Sequence, residues 1–167
     1  MKLSEGVEWG LHCVLLLAEV PAGVSLPRRF LAEHHGLPEA YLAKHLQALN
    51  RAGLLQAMPG PNGGFRLARP AEDISVLGVL DAIEGAVSPF VCQEIRQRGT
   101  GAALPEECGR PCAIATVFAQ ANEAWRESLR TVTIDQLVKR IPQSVRKRYL
   151  GTFGVTFPNR VGRVLES

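Results

Sequence analysis

No stretch of this sequence is long and apolar enough to cross a membrane. The longest apolar run, Cys13 to Ala18, falls far short of the roughly 18–20 residues a bilayer span needs and suits a buried helix segment. A basic leader, a small-residue cleavage site and a transit-peptide pattern are also lacking, so a cytoplasmic protein is expected. Cysteine is sparse. Four residues at irregular spacing make no disulfide scaffold, which leaves metal binding or redox chemistry as their special role in a reducing compartment. Charge is nearly balanced, at a formal net of +3, so composition does not announce nucleic acid. Internal repeats and low-complexity blocks are absent. So are a phosphate loop, a nucleotide fingerprint and a nucleophile elbow, which leaves little for an enzyme beyond His12 with Cys13 or Glu8.

What is present is 167 residues with 46% apolar content, enough for a domain with a real core and a separate dimerisation element. Ser4 is placed to cap a helix running to about Val20, where Pro21 and Gly23 stop it. Val7, Leu11, Val14, Leu15 and Ala18 form its apolar stripe. Pro27 opens a second helix, Arg28 to His35, ended by Gly36. A third runs from Glu39 to Ala52, stopped by Gly53, with Tyr41, Leu42, Leu46 and Leu49 at helical spacing. Two short helices joined by a glycine-containing turn make a helix-turn-helix layout. Apolar alternation on either side of Pro59-Gly60-Pro61-Asn62-Gly63-Gly64 then predicts a hairpin over Leu54–Met58 and Phe65–Ala68.

A helix-turn-helix followed at once by a hairpin is a winged helix, and it suits DNA. The third helix presents Tyr41, Lys44, His45 and Gln47 to the major groove. The wing tip, nearly free of side chains, can approach a minor-groove wall through Asn62, Gly63 and Gly64, while Arg66 or Arg69 meets phosphate. The expected fold class is therefore mainly α with a small β-hairpin. It comprises a winged helix-turn-helix over 1–85, a loop over 86–111, a long dimerisation helix with a short last helix over 112–140, and a basic, flexible tail over 141–167. The long helix opens at Pro111. Its stripe of Ile114, Val117, Phe118, Ala121, Ala124, Trp125, Ser128 and Leu129 has little chain left to cover it, so a two-fold copy is the expected partner.

Chemistry-bearing residues gather at two places. Glu8 and His12 are one turn apart, so both side chains leave one face of the first helix about 6 Å apart along its axis. Cys92, Cys108 and Cys112 lie in and after the loop. Cys112 falls in the first turn of the long helix, where unpaired N–H groups favour thiolate. Two thiolates at one iron, with imidazole and carboxylate at the other, would complete a 2Fe–2S centre. Cys13 faces away from Glu8 and His12 and reads as structural.

The order of these elements resembles the IscR/NsrR-type iron–sulfur winged-helix transcription regulators over about residues 1 to 140. The pieces that carry it are Met1-Lys2-Leu3-Ser4, Tyr41-Leu42-Ala43-Lys44, the Gly63-Gly64-Phe65 wing and the cysteine trio. Glu8-Trp9-Gly10-Leu11-His12, the segment Phe90 to Gly99 and Cys108-x3-Cys112 point to the redox-regulating RsrR type within them. The resemblance implies a homodimer on a double-stranded DNA operator, bridged by a 2Fe–2S cluster that takes Glu8 and His12 from one subunit and two cysteines from the other. Cys108 and Cys112 are assigned, with Cys92 in reserve because its gap to Cys108 is longer than in the IscR type. Trp9, beside Glu8, is expected to register movement of the ligands, with His12 taking up a proton on reduction. The alternative is a regulator of the same fold that senses nitric oxide, cluster availability or thiol oxidation without a one-electron switch.

Overall fold

A computed structural model describes residues 3–156 of the chain, apart from Ala22, Asn62 and Val87. Helix α1 (Glu5–Glu19) starts at Ser4, but the Ser4 hydroxyl does not cap it. The Ser4 backbone N–H and hydroxyl both donate to Glu84 instead. The buried side of α1 is Gly6, Val7, Gly10, Cys13, Val14, Leu16 and Leu17, so the face is rotated from the stripe that spacing predicts, and Leu11, Leu15 and Ala18 sit at its edge. The two glycines explain the rotation. A Cβ at Gly6 would lie 2.2 Å from His45 Cε1, and one at Gly10 would lie 2.4 Å from Ile83 Cδ1. Backbone, not side chain, is the surface α1 presents there.

Helix α1 lies on α3 (Glu39–Arg51) and α4 (Val76–Glu84), and α2 (Arg28–His35) packs on α3. Gly36, at φ 65°, ends α2, and the Ser75 hydroxyl caps α4 by accepting from Gly78 N–H at 3.0 Å. Leu42, Leu46 and Leu49 of α3 are fully buried beside Leu16, Leu31, Leu55 and Val79. At about 1.5–3 kcal/mol for each fully buried aliphatic side chain, this cluster is the main source of the domain's stability. Strands β1 (Leu55–Met58) and β2 (Gly64–Leu67) pair antiparallel, from Leu55 opposite Leu67 to Met58 opposite Gly64. Leu26 adds to the sheet edge by exchanging hydrogen bonds with Phe65 at 2.9 and 2.8 Å. This is the winged helix-turn-helix.

Beyond it, residues 86–111 form an irregular segment with 3-10 turns at Ile95–Gln97 and Pro105–Cys108. Helix α5 (Ala113–Arg130) follows. The apolar stripe of α5 is divided. Trp125 and Leu129 pack on Val7, Leu77 and Leu80 of the same chain, and Arg126 makes a paired contact to Asp81 at 2.8 and 2.6 Å. Trp125, expected at a subunit interface, is half-buried against α4 within its own chain. Helix α6 (Ile134–Arg140), capped reciprocally by Thr133 and Gln136, returns Ile134 and Val138 to the main core.

The sequence expectation of a flexible tail from 141 onward does not hold as far as it is described, because residues Gln143–Thr156 form helix α7. Pro142 is well suited to start it, accepting from Val145 and Arg146 N–H through its carbonyl. Val145, Arg146 and Tyr149 recur at i, i+1 and i+4 on the side turned to the domain. Arg160 and Arg163 lie outside the described residues. Among the described residues no helix is long and apolar enough to cross a membrane.

Candidate DNA interface and metal centre

The outward face of α3 carries Tyr41, 67% exposed, with Lys44 and Gln47 exposed one and two turns further on. At about 100° per residue these three positions share one side of the helix. His45 does not join them. Its ring stands edge-on to Trp9, with centroids 6.0 Å apart, and it fills the space that Gly6 leaves. Burial holds its pKa below the ordinary histidine value. Position 45 is about 60° from the buried Leu42 and about 40° from the exposed Tyr41 around the axis, so it stands at the border between the buried stripe and the outward face.

The wing residues have intramolecular roles. Gly63 closes the turn with an N–H bond to Gly60 O at 2.8 Å. Gly64, at φ 146°, lies against Leu26, whose carbonyl oxygen would be 2.2 Å from a Cβ there. Arg66 reaches across the hairpin to Gln56 Oε1 at 3.0 and 2.8 Å, and Arg69 donates to Gly53 O. Asn62 lies outside the described residues.

On α1, Glu8 and His12 are exposed and form a ridge between two depressions. An open groove of about 450 Å³ on one flank is lined by Leu3, Val7, Leu11, Leu15 and Leu137. A cavity of about 280 Å³ on the other is lined by Trp9, His35, Leu37 and Tyr149. His35, at the end of α2, has its ring centroid 5.6 Å from that of His12 and donates to the His12 backbone. Its Nε2 is buried without a partner. Burial first, then the neighbouring His34 and His12, push its pKa down to about 4.

Two of the loop-region thiols, Cys92 and Cys112, meet at the start of α5, while Cys108 ends the 3-10 turn before it and shares with Cys112 the charge of Arg96. Cys112 is the N-cap, and the backbone N–H groups of Ala115 and Ile114 hold its pKa below the usual thiol value, helped by the Cys92 thiol and the Arg96 charge. Cys92 Sγ also approaches Glu94 Oε1 at 3.8 Å. Arg96 bonds Glu94 at 2.7 Å and the Arg110 carbonyl at 2.7 Å, which gathers the loop around the thiols. Residue spacing alone gave Arg96 and Glu94 no role: they stand in a segment without period, and only the fold shows that a guanidinium faces the sulfurs. The structure thus brings Cys92 to Cys112. Cys13 is fully buried, with its pKa pushed up to about 12 by burial.

These two sets of donors stay apart within one chain. The part of α5 that packs on α1 and α4 is its C-terminal half, and Cys112 stands roughly 20 Å from Trp125 along the axis. Among the described residues, no group of three or more His, Cys, Asp and Glu side chains is gathered to hold a metal. Around the thiols the surface is apolar: Ile114, Val117 and Phe118 are 58, 63 and 47% exposed, and Phe90 stacks on Phe118 at 4.3 Å.

A winged helix-turn-helix with an exposed basic and polar face on its third helix defines a DNA-binding transcription regulator. The chain belongs to the Rrf2 family, described as "Iron-dependent Transcriptional regulator", whose model matches residues 3–140. Its members are regulators, not enzymes. The "Protein aau3" of Rhizobium meliloti (strain 1021) is 37% identical over 144 residues, covering 86% of this chain and 88% of its own. Two solved structures share the fold. CymR (YrzC), the global cysteine regulator of B. subtilis, aligns with a TM-score of 0.65 and 22% identity over 85% of this chain and 99% of its own. T. potens IscR aligns at 0.64 and 23% over 86% and 90%.

Proposed function

We propose that the chain is a homodimeric, DNA-binding transcription regulator that senses redox state through a 2Fe–2S cluster bridging the subunits. The observation that carries this reading is the division of the donors. Glu8 and His12 are exposed on α1, while the thiols sit at the free end of α5, ringed by apolar side chains that suit a second copy. The donor chemistry fits the group, since a thiolate-favouring helix start supplies sulfur and the α1 edge supplies one carboxylate and one imidazole. Glu8 and His12 of one protomer would hold it with two thiolates of the other. Cys112 is the first of these. The resemblance assigns Cys108 as the other, with Cys92 in reserve, and the contact between the Cys92 and Cys112 thiols supports Cys92 in that place.

When bound, the cluster supplies a one-electron couple. The protein's part is to answer a change of charge at the subunit junction. Of the four proposed ligands, His12 is the imidazole, a ligand type that releases metal when it takes up a proton. Trp9 touches both that edge and the recognition helix, through His45. A shift of α1 is therefore felt at α3, where Tyr41, Lys44 and Gln47 would meet bases and phosphates. Asn62, Gly63, Gly64 and Arg66 of the wing are proposed to follow the neighbouring backbone. Thiol sensing by a metal-free regulator is the second reading, favoured by the same Cys92–Cys112 contact.

Protein purified without oxygen distinguishes them. The first reading expects red-brown absorption, iron and acid-labile sulfide in equal amounts, and operator binding that differs between the oxidised and reduced forms. It also expects a midpoint potential that falls as pH rises and loses that slope in His12→Ala. Equal binding by the two forms would rule out the one-electron switch.

A further inference from the structure

Helix α7 lies beyond the 3–140 segment that matches the family, yet it is seated on the sensing edge of the domain. Two contacts fix it. Arg146 Nε lies 2.9 Å from both carboxylate oxygens of Glu19, at the end of α1, and the Glu19 side chain is only 2% exposed. The Tyr149 ring stands edge-on to His34, near the end of α2, at 5.0 Å between centroids. Between these anchors Tyr149 forms part of the wall of the cavity that Glu8, Trp9, His12, His35 and Leu37 also line. One short helix therefore ties the C-terminal end of α1 to the C-terminal end of α2 and sets Tyr149 beside the flank of the Glu8–His12 ridge that carries Trp9. The opposite flank, the Leu3–Leu137 groove, is left open.

We propose that α7 is a detachable strap: docked, it walls one side of the Trp9 cavity through Tyr149 and ties α1 to α2, and its release exposes Trp9 further. The seat favours release as a unit over gradual loosening. A carboxylate as deeply enclosed as Glu19 is costly to leave without its guanidinium, so the ion pair and the seating of the helix stand or fall together. Lys147 and Arg148, on the same helix, are exposed and keep α7 compatible with water once released. The bearing of the strap on a cluster rests on the function proposed above, but its docking does not.

The test uses metal-free full-length protein in a Trp125→Phe background, so that Trp9 is the sole fluorophore. Acrylamide quenching of Trp9 is compared in the parent, Arg146→Glu, Glu19→Arg, and the double charge swap. Each single reversal should lower the docked population by about tenfold or more and raise the quenching constant. The swap should return it toward the parent value. A chain ending at residue 141 should match the single reversals. Quenching unchanged in both Arg146→Glu and the shortened chain overturns the strap, as does failure of the swap to restore protection while far-ultraviolet circular dichroism stays native. With metal loaded, Arg146→Glu should bleach in air faster than the parent. If no cluster can be loaded, the proposed function fails while the quenching result still decides the strap.

Discussion

Replacing Gly6 with alanine probes the junction between α1 and α3. The added Cβ would fall 2.2 Å from His45 Cε1 and 2.7 Å from both ring nitrogens, so the ring has to leave. It is held against Trp9 on one side, and overpacking of this kind costs about 1–3 kcal/mol. Alanine returns about 1 kcal/mol through helix propensity, leaving a net loss of up to about 2 kcal/mol. Gly10→Ala is the control. The atom it meets is the terminal Cδ1 of Ile83, on a half-buried chain that can rotate aside, so the propensity gain should cancel or outweigh the contact. Urea unfolding of the metal-free protein, with unchanged slope, measures both. In a His45→Ala background the penalty at position 6 should vanish, giving a coupling of about 1–3 kcal/mol. Gly6→Ala as stable as Gly10→Ala, with effects additive to His45→Ala, would refute the account of His45 as a wedge.

Lys44→Ala should weaken operator binding and lower the salt slope by about 1, while Gln47→Ala should relax sequence preference by about 1–3 kcal/mol at the base it meets. Fluorescence anisotropy at several salt concentrations checks both, and unchanged binding would move the reading surface off α3. Phe118→Ala should yield folded monomers by sedimentation, whereas Trp125→Ala should lower the unfolding midpoint, since it removes part of the chain's own packing at up to about 3–5 kcal/mol. A stable Phe118→Ala dimer would argue against the α5 interface. In metal-free protein near pH 8, Cys13, with its pKa at about 12, should alkylate roughly 1000-fold more slowly than an ordinary thiol, and Cys112 faster than one. Mass mapping of the labelled cysteines decides this, and early labelling of Cys13 would contradict its burial.

The helices and the wing were legible because each rests on local pattern. The Leu42–Leu46–Leu49 spacing, Gly36 and Pro27 mark their elements without reference to the rest of the chain. What was not legible depended on meeting a distant residue. His45 reads as a surface position until Gly6 is known to lie over it. The packing of Trp125 on Leu77 and Leu80 shows only once α4 is seen beneath it. The gap between Cys92 and Cys112 looks prohibitive along the chain, yet it closes when Arg96 folds the loop back on the Arg110 carbonyl. Residues after 141 carry glycines and charges that suggest irregular chain. Their helix is fixed by Glu19, far away in sequence and indistinguishable there from any surface carboxylate.

The separation of the donors along α5 has a consequence for how a dimer would fill with metal. On the proposed function each protomer would offer one half-site near Glu8 and another near Cys112, so two protomers would make two complete sites, each joining both chains. The pair of chains and pair of sites form a closed ring. Filling the first site holds the remaining half-sites together, and the second is then assembled at an effective concentration far above that of free protomers in solution. Loading should accordingly be cooperative: native mass spectrometry during reconstitution should show metal-free protein and doubly loaded dimers, with few dimers carrying a single cluster.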